Sequence, residues 1–231
     1  FALAPNLEPV TDVDTGYAGY LDDDNVNLTA DFGFLQKVAI GNIVWLDNGD
    51  GATGIANNGI KDGTEAGIDD VTVQLYSVGP DGTENTLDDT LTGTTTTAGG
   101  GYYNFDNLLP GKYYLHIPAA EFDSGDLQDL RSSAGNGTDE TSNENADENG
   151  IDAADLVTLI ADGIYSTVYD LQPNTEVTSE PQPNYTGALD DDNVNFTADF
   201  GFTELVAIGN RVFFDHGSGA DYNDGEFDTS E

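Results

Sequence analysis

The sequence predicts an all-β sandwich, and three observations lead to that fold class. Short runs of β-branched and aromatic residues alternate with polar ones, which is the pattern of half-buried strands. Gly, Asp, Asn and Pro divide the runs, and these residues favour turns. Only one segment has helical character, so the pattern favours two packed sheets.

Six runs are the predicted strands, and turn-forming residues bound each of them. In chain order they read VAIGNIVWLD from Val38, VTVQLYSV from Val71, GYYNFDNL from Gly101, KYYLHI from Lys112, GIYSTVYDL from Gly163 and NVNFTADFGF from Asn193. LLPGK at residues 108–112 predicts a tight turn, because Pro and Gly supply the backbone angles that such a turn needs. A short helix is predicted around NGIDAADLVTLIADG at residues 149–163.

One segment occurs twice and sets the domain organisation. LDDDNVNLTADFGF begins at position 21 and LDDDNVNFTADFGF at position 189, so the copies lie 168 positions apart. The letters VAIGN recur after both copies at the same spacing. Because internal repeats define the folding unit, we predict three parts: the C-terminal part of a preceding repeat at 1–37, a complete repeat at 38–205 and the start of the next at 206–231.

The charge of the chain is strongly negative. Its 231 residues include 44 Asp and Glu but only five Lys and Arg, for a formal net charge of −39. So few cations cannot form the basic patch that phosphate backbones need, so no nucleic-acid partner is expected. The hydrophobic content of 37% favours a folded chain over a disordered acidic tail. Because the acidic residues cluster in short loops with Gly and Asn, bound divalent cations explain the charge better than halophilic adaptation.

Composition also limits the chemistry. The chain has no cysteine, which excludes disulfides and thiolate metal sites and leaves calcium, Ca²⁺, as the candidate staple. No apolar run approaches the length of about 18 residues that indicates a membrane span, so no membrane insertion of this segment is expected. No phosphate loop or nucleophile elbow occurs, and no enzyme activity is predicted.

The loop after the first strand carries a calcium-binding pattern. In WLDNGDGATGIANNGIKDGTEAGI the glycine of NNG takes the sixth position of a calcium loop, where a sharp turn is needed. A glutamate able to bind through both oxygens then falls at the last ligand position. The first ligand precedes an insertion. The predicted ligands are Asp47, Asn58, the Ile60 carbonyl, Asp62 and Glu65.

The end of the chain repeats this pattern with different letters. In DHGSGADYNDGEFDTSE, oxygen-bearing residues occupy the corresponding positions after a short deletion. Oxygen kept at matching positions by different residue types favours metal binding over a plain solvated turn. The predicted ligands of this loop are Asp215, Asp224, the Glu226 carbonyl, Asp228 and Glu231.

Three further acidic clusters are candidates with a competing interpretation each. DGTENTLDDT is a metal loop or a polar hairpin tip, and NENADENGID is a metal site or a solvated helix cap. The repeated DDD is part of a metal site or a charged guard that keeps a strand edge from aggregating. The candidate ligands are Asp81, Glu84, Asp88 and Asp89 in the first cluster, Asp147, Asn149 and Asp152 in the second, and Asp190 and Asp192 in the third.

These motifs in combination resemble a known family. They are the opening strand with VW and its acidic loop, the pattern GxYxFxxLxxGxY at residues 101–113, and the closing DFGF. Together they resemble the B-type repeat of the serine-aspartate surface proteins (SdrD B-like), a relative of the collagen-adhesin B-type domain. The resemblance covers nearly the whole repeat.

The resemblance implies an extracellular, immunoglobulin-like or transthyretin-like β-sandwich repeat with long acidic loops, which calcium makes rigid. It places the calcium ligands on the same five residues of the first loop. That loop is longer than the family's compact one, so Asp50 and Asn57 are alternative ligands. Related domains often carry a crosslink from a lysine in the first strand, but VAIGNIVWL has no lysine, and no intramolecular crosslink is expected.

The sequence therefore predicts a calcium-stabilised structural repeat of a bacterial surface protein or fibre, at the cell surface or secreted. Its expected partners are neighbouring repeats or copies of itself, which would complete the strands at residues 25–34 and 206–214. Two alternatives stay open. One is a ligand-binding adhesin module for an unknown host or matrix ligand, with residues 123–150 as its recognition loop. The other is an accessory domain of a secreted carbohydrate-active or peptidase enzyme.

Overall fold

The computed structural model describes residues 32–134, 148–180 and 184–206, together with residues 6 and 19. These residues form two β-sheets with two short helices beside them. In chain order the described elements are β1 (Val38–Leu46), β2 (Thr72–Ser77), β3 (Thr90–Thr96), β4 (Tyr102–Leu108), β5 (Gly111–Ile117), α1 (Ala119–Asp123), β6 (Leu130–Ser132), β7 (Gly150–Ile151), α2 (Leu156–Asp162), β8 (Ile164–Ser166), β9 (Tyr169–Leu171), β10 (Val194–Asn195) and β11 (Phe200–Glu204).

The first sheet is built around β1. On one side β1 pairs antiparallel with β4. On the other side its first half pairs parallel with β10 and its second half parallel with β11, which β6 then extends. All but the last residue of β1 are buried, because neighbours cover both edges and both faces of the strand. A continuous apolar run such as VAIGNIVWL suits this fully enclosed position.

The second sheet has the strand order β3-β2-β5-β8-β7, and β9 also pairs with β5. In β2 and β5 the side chains alternate between the two faces of the sheet, as the pleat requires. Val73, Leu75, Leu115 and Ile117 are fully buried against the first sheet. The polar and aromatic residues between them lie on the outer face.

The main core fills the space between the two sheets. Its largest members include Phe200 and Phe202 of β11, which are fully buried beside residues of β1, β2 and β5. A smaller apolar cluster of Ala39, Val194 and Phe196 lies apart from the main core. Residues Tyr185 and Leu189 cover this second cluster.

One glycine is required where the β3–β4 connection approaches β1. Gly101 has a φ of +85°, in the left-handed region that disfavours side chains. A Cβ atom there would lie 2.1 Å from the carbonyl oxygen of Val44, and the Val44 N–H donates to the Gly101 carbonyl at 2.9 Å. The turn can therefore pack onto β1 only without a side chain.

The prediction of an all-β sandwich is confirmed, but two predicted strands are interrupted. GIYSTVYDL divides into β8 and β9 because three of its residues, 166–168, stand opposite two residues of β5. NVNFTADFGF divides into β10 and β11 because residues 196–199 stand opposite three residues of β1. One extra residue on a strand produces a bulge that breaks the ladder.

Several elements differ from the sequence prediction in other ways. Helix α1 and the short strands β6 and β7 were not predicted, and β7 lies within the segment that was predicted to be helical. The edge strand β3 was not predicted, because TLTGTTT is polar and mostly exposed and lacks an apolar face. The predicted helix is confirmed but is shorter, and α2 begins after Asp155, whose side chain accepts a hydrogen bond from the Thr158 N–H at 2.8 Å. Such a side-chain acceptor satisfies one of the free N–H groups at a helix start.

Neither helix in the described ranges has the length and apolar character that a bilayer span requires. The predicted strands at the two ends of the chain lie mostly outside the described residues, at residues 25–31 and 207–214. The proposed division into three repeats stays a prediction.

Candidate metal centre

The first candidate loop begins where β1 ends. Asp47 follows β1 directly, is fully buried, and donates its backbone N–H to the Phe202 carbonyl of β11 at 2.7 Å. Its Oδ1 accepts from the Asn57 N–H at 2.6 Å and its Oδ2 from the Gly59 N–H at 2.8 Å. Asp47 is therefore bound to the glycine turn of the loop across the insertion that separates them in sequence.

The carboxylates at the end of the loop fold it back on itself. Glu65 is buried, and its two oxygens accept from the N–H groups of Gly49 at 2.9 Å and Asp62 at 3.0 Å. Asp62 accepts from the Ile55 N–H at 3.0 Å and from the Asn58 side-chain amide at 3.2 Å. The predicted ligands thus form one hydrogen-bonded loop between β1 and β2.

The carboxylates of this loop also repel one another. Burial raises the pKa of Glu65, and the negative charges of Asp47 and Asp62 raise it further. The N–H groups of Gly49 and Asp62 oppose this rise, because they stabilise the ionised carboxylate. A cation placed among the three carboxylates would relieve the repulsion.

The donor types fit calcium, which takes six to eight oxygen ligands. Carboxylates retain lone pairs for a metal while they accept one hydrogen bond at each oxygen. However, within residues 32–134, 148–180 and 184–206 no three Asp, Glu or His side chains converge as a metal-ligand group. The carboxylates of the loop point at backbone N–H groups instead, and the ligand assignment stays a prediction.

The second candidate loop, residues 79–89, is a hairpin tip held by its own carboxylates. Asp89 accepts from the N–H groups of Gly79 at 2.7 Å and Thr86 at 2.8 Å. Asp88 accepts from the Thr86 hydroxyl at 2.6 Å, a bond that lowers the pKa of the Asp88 carboxyl. Asp81 accepts a hydrogen bond from the Thr83 N–H at 2.9 Å. Glu84, the fourth candidate of this loop, is half-buried. These contacts favour the polar hairpin tip.

The third candidate lies beside β7 and β11, and its Asp147 is outside the described residues. Asn149 is buried and forms two hydrogen bonds with Asp199. The Asn149 backbone N–H donates to the Asp199 carbonyl at 2.7 Å, and the Asp199 backbone N–H donates to the Asn149 Oδ1 at 2.8 Å. Asp152 is exposed. The competing interpretation was a helix cap, and the residue that caps α2 is Asp155 rather than Asp152.

The second copy of the acidic triplet DDD, at residues 190–192, overlaps a short 3-10 turn, Asp191–Asn193, before β10. Asp190 is exposed and its carbonyl accepts from the Asn193 N–H at 2.9 Å. The Asp192 carboxylate accepts from the Asn193 side-chain amide at 2.8 Å, and the Asp192 carbonyl from the Glu176 N–H at 3.1 Å. The triplet is thus a turn that leads into the strand. All five candidates of the last loop, Asp215, Asp224, Glu226, Asp228 and Glu231, lie outside the described residues.

Sequence reasoning did not single out one buried acid, Glu148. It is fully buried, and it accepts from the Gly150 N–H at 2.8 Å and the Ser132 hydroxyl at 3.3 Å. Burial raises the pKa of Glu148 to about 9, and the charges of Asp152 and Asp47 add to the rise. Glu148 therefore lies close enough to Asp47 to couple the first and third candidates. No local pattern marks it, because its burial depends on segments far away in sequence.

Comparisons with known proteins agree with this architecture. The family model described as the SdrD B-like domain matches residues 38–167. The serine-aspartate repeat-containing protein E of Staphylococcus aureus (strain MSSA476) is 38% identical over 92 residues, which cover 40% of this chain. The serine-aspartate repeat-containing protein I of Staphylococcus saprophyticus is 37% identical over 97 residues, which cover 41% of this chain. Colossin-B of Dictyostelium discoideum is 34% identical over 92 residues, or 39% of the chain.

These relatives are far longer than the matched region, which spans 7%, 4% and 2% of their lengths respectively. Among solved structures, the full-length major pilin SpaD of Corynebacterium diphtheriae overlaps 75% of this chain and 34% of its own, at 14% identity and a TM-score of 0.32. That likeness is too distant to add to the fold seen directly. The family match covers more than half of the residues. The chain belongs to the SdrD B-like domain family.

Proposed function

We propose that this chain is an extracellular, calcium-stabilised structural repeat, a building block of a stalk or filament on a bacterial surface, without catalytic activity. The observation that carries the calcium part is the loop from Asp47 to Glu65, in which Asp47 and Glu65 are buried and the charges of Asp47 and Asp62 both raise the pKa of Glu65. The family membership and the serine-aspartate repeat relatives support a surface location. None of the relatives named above has the name of an enzyme.

The charge of the whole chain strengthens the case for a bound cation. A net charge of −39 makes the compact state repel itself, and each divalent ion held by the fold removes part of that repulsion. Calcium that binds only the folded state also stabilises it by mass action. At a hundredfold excess over Kd the gain is about 2.7 kcal/mol per site.

Thermal unfolding with and without calcium tests this proposal. We expect calcium to raise the melting temperature and excess chelator to lower it, at constant ionic strength so that charge screening stays fixed. Asp47→Asn and Glu65→Gln should each abolish most of the calcium-dependent shift. Asp126→Asn, at an exposed position outside the loop, is the matched control and should keep it. A melting temperature that excess chelator leaves unchanged at low salt would remove the calcium part of the proposal.

The tandem arrangement rests on a different observation. Phe32 and Phe34 are 80% and 91% exposed, whereas their counterparts in the second copy, Phe200 and Phe202, are fully buried in β11. Two neighbouring phenylalanines this exposed leave a large apolar surface in water. We propose that the first copy is the last strand of a neighbouring repeat and packs there as β11 packs here.

A tandem chain tests the arrangement. Position 1 corresponds to position 169 at the repeat spacing, so residues 38–168 placed directly before Phe1 restore a complete preceding repeat. Hydrogen exchange at residues 32–34 should slow strongly in this tandem chain relative to the single chain, because backbone pairing protects amides. Equal exchange in both chains would show that the segment does not pair with a preceding repeat.

A further inference from the structure

An uncharged cleft of about 340 Å³ lies on the outer side of the first sheet. Its volume is within the range of about 300–1,000 Å³ that is typical of small-molecule pockets. One wall comes from the end of β3, from β4 and from the connection between them, and the other comes from the segment that begins at Asn184. The cleft is distinct from the acidic loops described above.

Aromatic rings and side-chain amides line the cleft. The aromatic residues are Tyr102, Tyr103, Tyr185 and Phe196, and the amides are those of Asn42, Asn104 and Asn184. Tyr103, Phe196 and Asn42 are buried, so Tyr102, Tyr185, Asn104 and Asn184 form the accessible part of this set. Among the described residues that line it, none carries a charge. This is unusual in a chain with 44 acidic residues, and two other clefts of similar size contain acidic side chains.

Internal contacts fix the walls of the cleft. The rings of Tyr185 and Phe196 meet edge to face, with centroids 5.1 Å apart. The Asn184 amide donates to the Gly99 carbonyl at 3.2 Å and so joins the two walls. The Asn42 amide donates to the Phe196 carbonyl, and the Tyr185 hydroxyl donates to Asp106 at 3.3 Å. A pocket held in this way loses little conformational entropy when a ligand binds.

We propose that this cleft binds a neutral saccharide unit. An anionic ligand would find no cation among the described lining residues and would be repelled by the net charge. A cationic ligand would find no carboxylate among them, and the nearby Asp106 accepts the Tyr185 hydroxyl. Amide side chains both donate and accept hydrogen bonds, as sugar hydroxyls do. Aromatic rings provide the apolar surface on which the C–H face of a sugar ring packs.

An apolar peptide side chain is the competing occupant. It would fill the space against the rings but would cover the Asn104 amide and the Thr95 and Thr96 hydroxyls without offering them hydrogen bonds once water is displaced, which costs free energy. The mixture of aromatic rings with amides and hydroxyls therefore favours a ligand that is apolar on its faces and polar around its edge. This inference is independent of calcium binding and adds a ligand to the structural role.

Saturation-transfer NMR on the full chain tests the proposal, with lactose, N-acetyllactosamine, maltotriose and cellotetraose as neutral probes. Sialylated and sulfated oligosaccharides are the anionic probes, and a phenylalanine-containing neutral tripeptide represents the apolar occupant. We expect transfer to at least one neutral probe and none to the anionic ones. Tyr102→Ala and Asn104→Ala should each weaken that binding by about tenfold. Tyr165→Ala, on the other sheet, is the matched control and should leave it unchanged.

Unchanged melting curves of the two cleft variants establish that they fold. If Tyr102→Ala unfolds the chain, Asn104→Ala still tests the proposal, because it removes only a half-buried side chain. Three results would overturn the proposal: no neutral saccharide binds at millimolar concentration, binding persists in both cleft variants, or the tripeptide alone binds. Because the calcium test reads out melting and this test reads out ligand contact, failure of one is distinguishable from failure of the other.

Discussion

The tripeptide Phe-Gly-Phe occurs at residues 32–34 and again at residues 200–202, in opposite environments. In the first copy Phe32 and Phe34 are 80% and 91% exposed, and a Cβ atom added to Gly33 would meet nothing within 4 Å. In the second copy both phenylalanines are fully buried, and a Cβ atom added to the central glycine would collide with two side chains. The same tripeptide therefore contributes differently to the free energy of folding, because only the second copy pairs with β1.

The comparison gives a physical reason for the prediction that the repeated segment marks a unit boundary. The second copy runs parallel to β1, with Val44 opposite Phe200 and Leu46 opposite Phe202. The segment that closes a repeat must therefore return to the segment that opened it, more than 150 residues earlier in the chain. A copy of the closing segment that stands before β1 has no such partner within the described residues of this repeat.

The largest difference between the copies is expected on removal of a phenylalanine ring. Phe200→Ala should lower the free energy of unfolding by about 3–5 kcal/mol, because it leaves a cavity in the core. Phe32→Ala, the matched variant in the first copy, should change it by no more than about 0.5 kcal/mol, since the ring is exposed. Urea unfolding followed by circular dichroism measures both. Comparable losses in the two variants would mean that the first copy also packs within this chain.

The central glycines provide a smaller contrast of the same kind. A Cβ atom at Gly201 would lie 2.5 Å from the Ser133 hydroxyl and 2.7 Å from the Trp45 ring, which is itself fully buried. Gly201→Ala should therefore cost about 1–3 kcal/mol through overpacking.

Gly33→Ala is the control and should be neutral within about 0.5 kcal/mol. Differential scanning calorimetry of the two variants and the parent gives the comparison. A neutral Gly201→Ala would show that Trp45 has room to move, and that the second copy is less tightly enclosed than its burial indicates.

One of the hydrogen bonds that hold the second copy comes from Tyr103. Tyr103 of β4 is buried and donates its hydroxyl to the Ala198 carbonyl at 2.6 Å. Tyr103→Phe should cost about 1–2 kcal/mol, because it leaves that carbonyl without its donor. Tyr165→Phe, at a half-buried position on the other sheet, should cost less than about 0.5 kcal/mol. Chemical denaturation distinguishes these values, and equal costs would contradict the assignment of this bond to the second copy.

The smallest effect is expected at the one position where the repeated fourteen residues differ. Phe196 is buried against Tyr185, and Leu28 stands at the matching place in the first copy. Phe196→Leu should cost about 1 kcal/mol, because the side chain stays apolar and loses only volume and one ring contact. A loss above about 3 kcal/mol would show that the letters of the second copy are specialised for its site. Thermal unfolding at fixed calcium concentration measures it.

Much of the fold could be predicted from the sequence, because strand signals are local. The alternation in VTVQLYSV and KYYLHI depends only on neighbouring residues, and these runs became β2 and β5. The strand β3 could not be predicted, because its threonines form a strand only through pairing with β2. The two bulges were also missed, since an extra residue is visible only against the strand that it faces.

The candidate metal loop shows the same limit. The spacing of Asn58, Asp62 and Glu65 could be read from the sequence, and the three residues do lie in one loop between β1 and β2. The sequence could also assign Asp47 to that loop, but its bond to the Gly59 N–H depends on how the insertion folds. Glu148 was missed because about a hundred positions separate it from Asp47, whose charge contributes to the raised pKa of Glu148.

By itself the sequence determined the fold class, the repeat, the acidic loops and the absence of thiol chemistry, since each depends on composition or short-range order. The tertiary structure alone decided which Phe-Gly-Phe is buried, which carboxylates repel one another, and where rings and amides enclose an uncharged cleft. The physical reason is that burial and charge coupling require surfaces from distant parts of the chain. The residue pattern of a strand is local, but the strand is buried only when a partner strand packs against it.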